Sequence, residues 1–574
     1  MKILLLHWED DLTSAPSMSW DLVVDLGRAP RSTYQRWKQR VGCEVLSLYD
    51  FAKEVEDLYE LRELLQLGSG QLIDGQGIDW WDALSLDLVP DFQQIMLAER
   101  LFARLGASCE LWASRPNSTA SALAMMMAVR LQIPSEAQAW RRQASHYRRV
   151  FASLDKTQIA QVLEDKLRLN RFAGVFSRNR DFSRKPVILL PTAYVNGSRT
   201  AVEFAKRLPA QEFLLVYTRS SGKLRSVPDN VLLAPLPIHY SALDESKLSE
   251  LLNQWQILKE RLTRQAIGFA AADAAGVFDV IPQLLRSGIE HRNAWQQVFD
   301  RAPVMGCLCT DASNAATRIC LDIAKARNVP AVACHHGALN FFMALQTPPA
   351  DFYLVKSELE HDYLRQVCHL PEEKIVDADL GAEPASRPRN RLANRTWLVF
   401  FSEPYRTSYW RMDEVYDELL PALFALARRL GIKLVLKIHP FESMKDHRSR
   451  LRRYLPEHAR EIQVIAGPPI PDLWQKTCLA LTVQSTTALE AAALGIPVFL
   501  CSWLRDPHSG YLAQFEKFGV GHVLESVEQI ADVPVLLARQ EENPSRHRVS
   551  RPMNRKELEC LFSGHRSMEA VSSF

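Results

Sequence analysis

Long uncharged apolar runs are missing from this chain of 574 residues. A membrane-crossing helix needs about 18 or more such residues in succession, whereas the Met-rich stretch at 122–133 is shorter and carries Arg130. No transmembrane helix is expected. The opening Met1-Lys2-Ile3-Leu4-Leu5-Leu6-His7-Trp8 has one basic residue and an apolar run too short for a secretory signal, so it reads as a first β-strand. Paired cysteines are missing as well. The ten present are scattered from Cys43 to Cys560 without a C-x-x-C, which removes the usual spacing of a zinc site and any disulfide framework. Free thiols in a reducing cytoplasm are the expected state. Cys307 and Cys309 fall in an expected strand, where alternate residues share a face and cysteine packs as a small hydrophobe.

Charge of one sign is also missing. Lys plus Arg (69) nearly balances Asp plus Glu (67), which argues against bulk attraction to a nucleic-acid backbone and leaves phosphate recognition to local groups. The glycine-rich turns G-x-G-x-x-G and G-x-x-x-x-G-K-[ST] do not occur at strand–helix junctions, so NAD-dependent and ATP-hydrolysing chemistry lose weight. No metal and no cofactor are expected.

What is present is ordinary globular material, 47% hydrophobic and 24% charged. The length exceeds what one core supports and calls for two or three domains. Strand and helix signals alternate over the first fifty residues, at 2–8, 21–27, 32–41 and 43–49, with Ser32 as a helix cap. From 51 to 182 the chain turns to amphipathic stretches rich in Leu, Ala, Arg and Gln, expected as a helical insertion. Strands return at 186–190, 212–217, 230–236, 305–310, 330–334, 351–355 and 374–376, in a βαβ rhythm that implies parallel pairing. The segment 381–395 reads as a linker. A second doubly wound region follows, with strands at 397–401, 433–438, 462–465, 479–483 and 497–501. The expected architecture is α/β: an N-terminal Rossmann-like lobe at 1–385 carrying the insertion, a C-terminal Rossmann-like lobe at 395–540, and a polar, partly mobile tail at 541–574.

In open α/β sheets ligands bind at the carboxyl ends of strands, so polar residues there are the candidates. The apolar strand Lys433-Leu-Val-Leu-Lys-Ile runs into His439-Pro440-Phe441-Glu442. Pro440 ends the ladder and orients the imidazole of His439 outward, toward a phosphate or sugar oxygen. The bland alternative is a histidine that merely caps a strand. In Thr482-Val-Gln484-Ser485-Thr486-Thr487-Ala-Leu-Glu490 a strand enters a helix through three hydroxylated residues, an anion site by backbone N–H groups and helix dipole. One of those hydroxyls also suits a helix cap, and Glu490 suits either a sugar hydroxyl or a capping box. Ser402 and Glu403, before Pro404, end a third strand and line the same edge, or form an ordinary loop. In the first lobe Asp311 follows one strand, and His335-His336-Gly337 follows the next. Asp311 or His336 is the candidate general base toward an acceptor hydroxyl, and Gly337 permits close backbone approach. Adjacent histidines face opposite ways, so one of the two belongs to the core. Asp10, Asp11, Asp21 and Asp25 are alternative carboxylates. Lys356, Arg318 and Arg406 are basic candidates of lower weight.

The run Lys437-Ile438-His439-Pro440, followed downstream by Ser485-Thr486-Thr487 and Glu490, resembles the bacterial capsule and lipopolysaccharide transferases of GT-B fold, including polysialyltransferases and Kdo transferases. The resemblance implies that His439, Ser485 and Thr486 contact the CMP part of a CMP-activated sugar acid. CDP-glycerol-type polymer transferases look similar too, so cytidine is implied more broadly than the sugar. The run Pro191-Thr-Ala-Tyr194-Val-Asn196-Gly-Ser198 and the His-His-Gly run look like surface-carbohydrate biosynthesis proteins. An acidic Asp/Glu-Asp/Glu-Gly motif of the kind that supplies the base in polysialyltransferases is not found. The expected protein is a cytoplasmic, metal-independent glycosyltransferase, free or at the inner face of the membrane, with a nucleotide-sugar donor, CMP-linked first, and a glycan or lipid-linked glycan acceptor. The alternatives are a nucleotide-sugar 2-epimerase, a CDP-polyol phosphotransferase and a non-catalytic sugar-nucleotide-binding scaffold.

Overall fold

The structure, a computed structural model, describes residues 1–7, 18–27, 29, 31–106, 109–114, 117–133, 185–241, 243–335, 337, 341–377, 396–403, 412–439, 442–467, 471–505, 513–542 and 555–562. The α/β class expected from the strand–helix rhythm is what the chain adopts, with three parallel sheets. The first contains β1 (Lys2–Leu6), β2 (Leu22–Asp25), β3 (Glu44–Ser47), β4 (Glu110–Ala113) and β5 (Leu131–Gln132), in the order β3-β2-β1-β4-β5. The second contains β6 (Val187–Thr192), β7 (Glu212–Tyr217), β8 (Val231–Pro235), β9 (Val304–Cys309), β10 (Ala331–Cys334), β11 (Phe352–Val355) and β12 (Ile375–Asp377), in the order β12-β11-β10-β9-β6-β7-β8. The third contains β13 (Trp397–Phe401), β14 (Lys433–Lys437), β15 (Gln463–Ile465), β16 (Thr477–Thr482), β17 (Val498–Cys501) and β18 (His522–Leu524), in the order β15-β14-β13-β16-β17-β18.

All three orders share one logic. The earliest strand lies inside, the next two extend one way, and the fourth crosses to its other side. A crevice therefore opens between β1 and β4, between β6 and β9, and between β13 and β16, at the point where strand order reverses. Strands covered on both faces read as unbroken apolar runs, as in β6, which is buried throughout. Pro191 is tolerated in that central strand because the ladder to β9 stops at Leu189 and Cys307, while pairing with β7 continues to Thr192.

A sheet of its own at the N-terminus differs from the expected single N-terminal lobe. The stretch expected as a helical insertion supplies β4 and β5, which pair with each other while β4 also pairs with β1. Its helices are real, however. Val89–Leu105 buries Leu97, Ala98 and Leu101 against the first sheet, and Phe92 and Ile95 against the aromatic cluster below it. A helix apolar on both sides must be sandwiched. In that cluster Trp81 stacks on Trp255 at 6.0 Å, and Phe92 meets Phe269 edge-on at 5.3 Å. The joint to the middle unit is held by the buried Arg292–Asp74 ion pair at 2.6 Å, with Trp80 Nε1 donating to Asp74 at 3.0 Å. Gly288 makes room for Trp80, whose ring a Cβ there would meet at 2.3 Å. Ser32, expected as a cap, lies inside a helix that begins at Arg31.

The polar tail contains a docked segment. Helix Arg555–Cys560 is followed by Leu561 and Phe562, both buried in the core of the middle sheet. Gly306 is the seat of Phe562, because a Cβ at Gly306 would lie 2.3 Å from the ring. The linker expected at 381–395 lies outside the described residues. No single described helix is long and apolar enough to cross a membrane. The one pair that passes jointly, Ile267–Ala274 with Val277–Arg301, is bent by 69°.

Candidate functional site

The third sheet presents its polar groups at the β13/β16 crevice. Ser402, the first residue after β13, donates from Oγ to Glu442 Oε2 at 2.8 Å and accepts the His439 N–H at 3.0 Å. Glu442 Oε2 also meets His447 Nε2 at 2.9 Å, and His447 Nδ1 is hydrogen-bonded to the Tyr416 hydroxyl. The Glu442 N–H closes a turn onto the His439 carbonyl at 3.0 Å. Glu442 thus clamps the turn that follows β14 to the loop that follows β13. His439 itself stays half-buried at the edge. Pro440 lies outside the described residues.

Glu403 spans the crevice. Its Oε1 accepts from the Gln484 N–H at 3.2 Å and lies 3.3 Å from Thr482 Oγ1, linking the ends of both flanking strands. Burial pushes its carboxyl up to about 7, opposed by those two hydrogen bonds and reinforced by the charge of Glu442. A carboxyl near neutrality at the reversal point of a sheet can hold or release a proton close to working pH.

Along the turn after β16, Ser485 Oγ accepts the Thr487 N–H at 3.4 Å, and Thr486 occupies the cap position without a side-chain bond to the helix. The capping-box role weighed for Glu490 is not the one it takes. It lies on helix Thr487–Ala493 with its carboxyl open to solvent, yet hemmed in by protein on most sides, as a cleft-lining group is. That confinement raises its carboxyl, while Lys356 and Lys437 pull it down. Glu442 Oε1, Gln484 Oε1 and Thr487 Oγ1 are buried and have no partner among the described residues.

The middle sheet treats its polar ends differently. Asp311 is fully buried: Ser313 Oγ donates to one carboxylate oxygen at 3.0 Å, Asn314 Nδ2 to the other at 3.0 Å, and Thr317 Oγ1 bonds its carbonyl. These bonds shape the start of helix Ala315–Ala326, capped by Asn314. His335 is buried, with its Nδ1 accepting the Gly337 N–H at 3.2 Å, while His336 lies outside the described residues. Arg318 is engaged by the carbonyls of Gln346 and Thr347, each at 3.0 Å. Asp25 is buried and accepts the Gly27 N–H at 3.0 Å and the Ala29 N–H at 2.5 Å, and Asp21 accepts the Lys2 N–H at 2.7 Å. Asp10, Asp11 and Arg406 lie outside the described residues.

The two sheets meet through their carboxyl edges. Lys356 follows β11, Lys437 ends β14, and Arg199 lies in helix Val195–Arg207 after β6. Arg199 and Glu490 are both within electrostatic reach of Lys437. Lys437 is 4% exposed, and burial and the Arg199 charge push its ammonium down to about 8. Leu359 of the middle unit shares a core cluster with Val399, Val435 and Ala488 of the third, and Lys517 approaches Asp362 at 3.9 Å. Sequence reasoning missed Arg199, Tyr416 and His447. The signal for Arg199 was its place directly after Asn196-Gly-Ser198 at a strand–helix junction. Tyr416 and His447 carry no such mark, since a histidine inside a helix looks like any other.

No protein family and no curated protein matches the sequence. Among solved structures, a putative UDP-N-acetylglucosamine 2-epimerase from Listeria monocytogenes is similar over 68% of this chain and 96% of its own, at 12% identity and a TM-score of 0.41. The wall teichoic acid polymerase TagF aligns over 67% of this chain and 88% of its own, at 11% identity and a TM-score of 0.37. The calicheamicin glycosyltransferase CalG4 aligns over 68% of this chain and 98% of its own, at 14% identity and a TM-score of 0.36. A likeness of this order says nothing about chemistry. Among the described residues no group of three or more His, Cys, Asp or Glu side chains is arranged to hold a metal.

Proposed function

We propose that this chain is a glycosyltransferase that moves a sugar from a nucleotide-activated donor to a glycan acceptor. The observation that carries the reading is the polar cluster at the carboxyl edge of the third sheet, where Ser402 joins Glu442 and the His439 N–H, and Glu403 bridges to Thr482 and the Gln484 N–H. In an open α/β sheet that edge is where a ligand binds, and a nucleotide sugar offers the hydroxyl and phosphate groups that such polar residues recognise.

In this reading His439 and the N–H groups of Ser485 and Thr486 stabilise the departing phosphate, and Ser402, Glu403, Glu442, Thr487 and Glu490 line the donor. The acceptor hydroxyl loses its proton to a base, its oxygen bonds the anomeric carbon, and the bond from that carbon to the phosphate oxygen breaks, leaving the electron pair on the nucleotide. His336 is the candidate base. Asp311, with both oxygens engaged, supports the loop instead. The donor class proposed first is a CMP-linked sugar acid, the transfer needs no metal, and the acceptor is a surface glycan or its lipid-linked precursor at the cytoplasmic membrane face.

The test is thermal stabilisation of the full chain by CMP, CDP, UMP, UDP and GDP, with His439→Ala alongside, since a ligand that binds only the folded state raises its stability. Selective stabilisation by CMP, lost in the variant, supports the cytidine donor. A response to UDP or GDP alone keeps a nucleotide-sugar transferase and removes the CMP assignment. Silence toward every nucleotide overturns the reading. Conversion of a nucleotide sugar without any acceptor would mark an epimerase, and CMP release with polyol phosphate transfer a phosphotransferase.

A further inference from the structure

We propose that His447, backed by Tyr416, is a positioning residue: through Glu442 and Ser402 it fixes the main chain of His439 and so aims the His439 imidazole. That the imidazole meets a nucleotide phosphate rests on the proposed function; the hold on His439 does not.

Tyr416, His447, Glu442 and Ser402 are all buried. The Tyr416 hydroxyl meets Nδ1 of His447, Nε2 of His447 lies 2.9 Å from Glu442 Oε2, and Ser402 Oγ donates to that same oxygen at 2.8 Å. A carboxylate oxygen only accepts, so the hydrogen between His447 and Glu442 sits on Nε2, and in the neutral ring Nδ1 is left to accept from the phenol. Two donor chains thus end on one oxygen, and hydrogen bonds in series polarise one another. His439 is gripped by this chain at both of its main-chain groups. Its N–H donates to Ser402 Oγ at 3.0 Å, and its carbonyl accepts the Glu442 N–H at 3.0 Å. Ser402 Oγ is turned to accept from His439 because its own hydrogen is directed at Glu442. His447 in turn places the Glu442 oxygen that receives it.

Local structure builds the far end of the chain. Helix Met444–Tyr454 starts just after Glu442 with Ser443 as its cap, which brings His447 back over the Glu442 carboxylate. Tyr416 lies in a π-turn, Val415–Leu419, closed by the Leu420 N–H onto the Val415 carbonyl. Pro421 follows, and a residue without an N–H cannot continue the ordinary ladder. Single π-turns are rare and recur at functional sites. This one sets the Tyr416 ring 5.9 Å from that of His447 and 6.1 Å from that of Tyr454. Buried polar networks add little stability over well-packed apolar groups. What they supply is one fixed geometry, and the group fixed here is the histidine that ends β14.

The experiment reads the His439 amide by hydrogen exchange in the full chain, with the Val435 amide of β14 as the gauge of global opening. His447→Ala is expected to speed exchange at His439 about tenfold, the worth of one hydrogen bond, and to leave Val435 unchanged. His447→Gln, whose amide N–H can still reach Glu442, should restore most of the protection, and Tyr416→Phe should give a smaller rise. CMP is the ligand probe, and its affinity should fall about tenfold in His447→Ala and recover in His447→Gln. A histidine that only held the core together would move both amides alike and would gain nothing from glutamine. If His447→Ala does not fold, Ser402→Ala and Tyr416→Phe decide, since each should loosen His439 and spare Val435. An unchanged His439 amide in the folded variants overturns the proposal, as does CMP affinity that stays at the wild-type level while the amide loosens. CMP binding to none of these proteins would sink the cytidine donor, and the exchange rates would still decide whether His447 holds His439.

Discussion

The middle and third sheets lay out their strands in the same order, yet their carboxyl edges use polar residues in opposite ways. After β9, Asp311 is closed off by Ser313, Asn314 and Thr317, all within six residues of it in the chain. After β13 and β14, Ser402 bonds Glu442 across 40 residues of sequence and Glu403 bonds Thr482 and the Gln484 N–H across 79 and 81, while Glu442 Oε1 is still without a partner among the described residues. A carboxylate satisfied by its own loop shapes that loop. One held by distant elements, with an oxygen to spare, is preorganised for something else.

The largest effect that would break this contrast is expected at Glu442. Glu442→Ala removes the group joining Ser402 to His447 in a buried setting, and should cost about 3–5 kcal/mol of stability, read by urea denaturation. A loss below about 1 kcal/mol would mean that the clamp does not hold the edge together. Next in size is the pH dependence at Glu403. Its folded pKa of about 7 lies above the ordinary value of 4.5, so between those values the folded state keeps a proton that the unfolded state gives up. The associated stability is fully present below pH 4.5 and is lost as pH rises through about 7. Glu403→Gln should therefore gain on the wild type as pH climbs through that window, by roughly 1.4 kcal/mol for each pH unit crossed. Parallel stability–pH curves for the two proteins would show that the Glu403 carboxyl does not titrate in this way.

The smallest effect is expected at Asp311. Asp311→Asn keeps an acceptor for Ser313 and should cost about 1 kcal/mol, with sugar transfer reduced no further than that loss of folded protein explains. A fall in kcat of about a hundredfold or more at unchanged stability would instead mark Asp311 as the base, and would make the two edges alike after all.

Much of the third unit was legible in advance. The strand expected at 397–401 is Trp397–Phe401, and the one expected at 497–501 is Val498–Cys501. Fully buried parallel strands announce themselves as apolar runs, and their ends fall where polar residues begin. Three strands of the first sheet were legible at 2–8, 21–27 and 43–49, but its other two were not, because β4 and β5 are four and two residues long and sit among Leu- and Ala-rich helices, too short for a period to show. β18, also short, went unseen for the same reason. Within the site, His439, Ser402 and Glu403 were marked by strand ends followed by proline. Arg199 and Lys437 were not paired by any local signal, since nothing in the sequence near either one refers to the other.

By itself, then, the sequence determined the alternation of strand and helix, the parallel sheets that follow from it, and the strand ends at which polar chemistry can stand. Hydrophobic period and chain-local hydrogen bonding are short-range properties, and they act wherever the residues are. The tertiary structure alone decided that Asp311 is sealed, that a buried Glu403 bridges two strands, and that Arg199 comes within electrostatic reach of Lys437. Desolvation and Coulomb energy depend on which groups surround a charge in space, and those groups come from parts of the chain far apart in sequence.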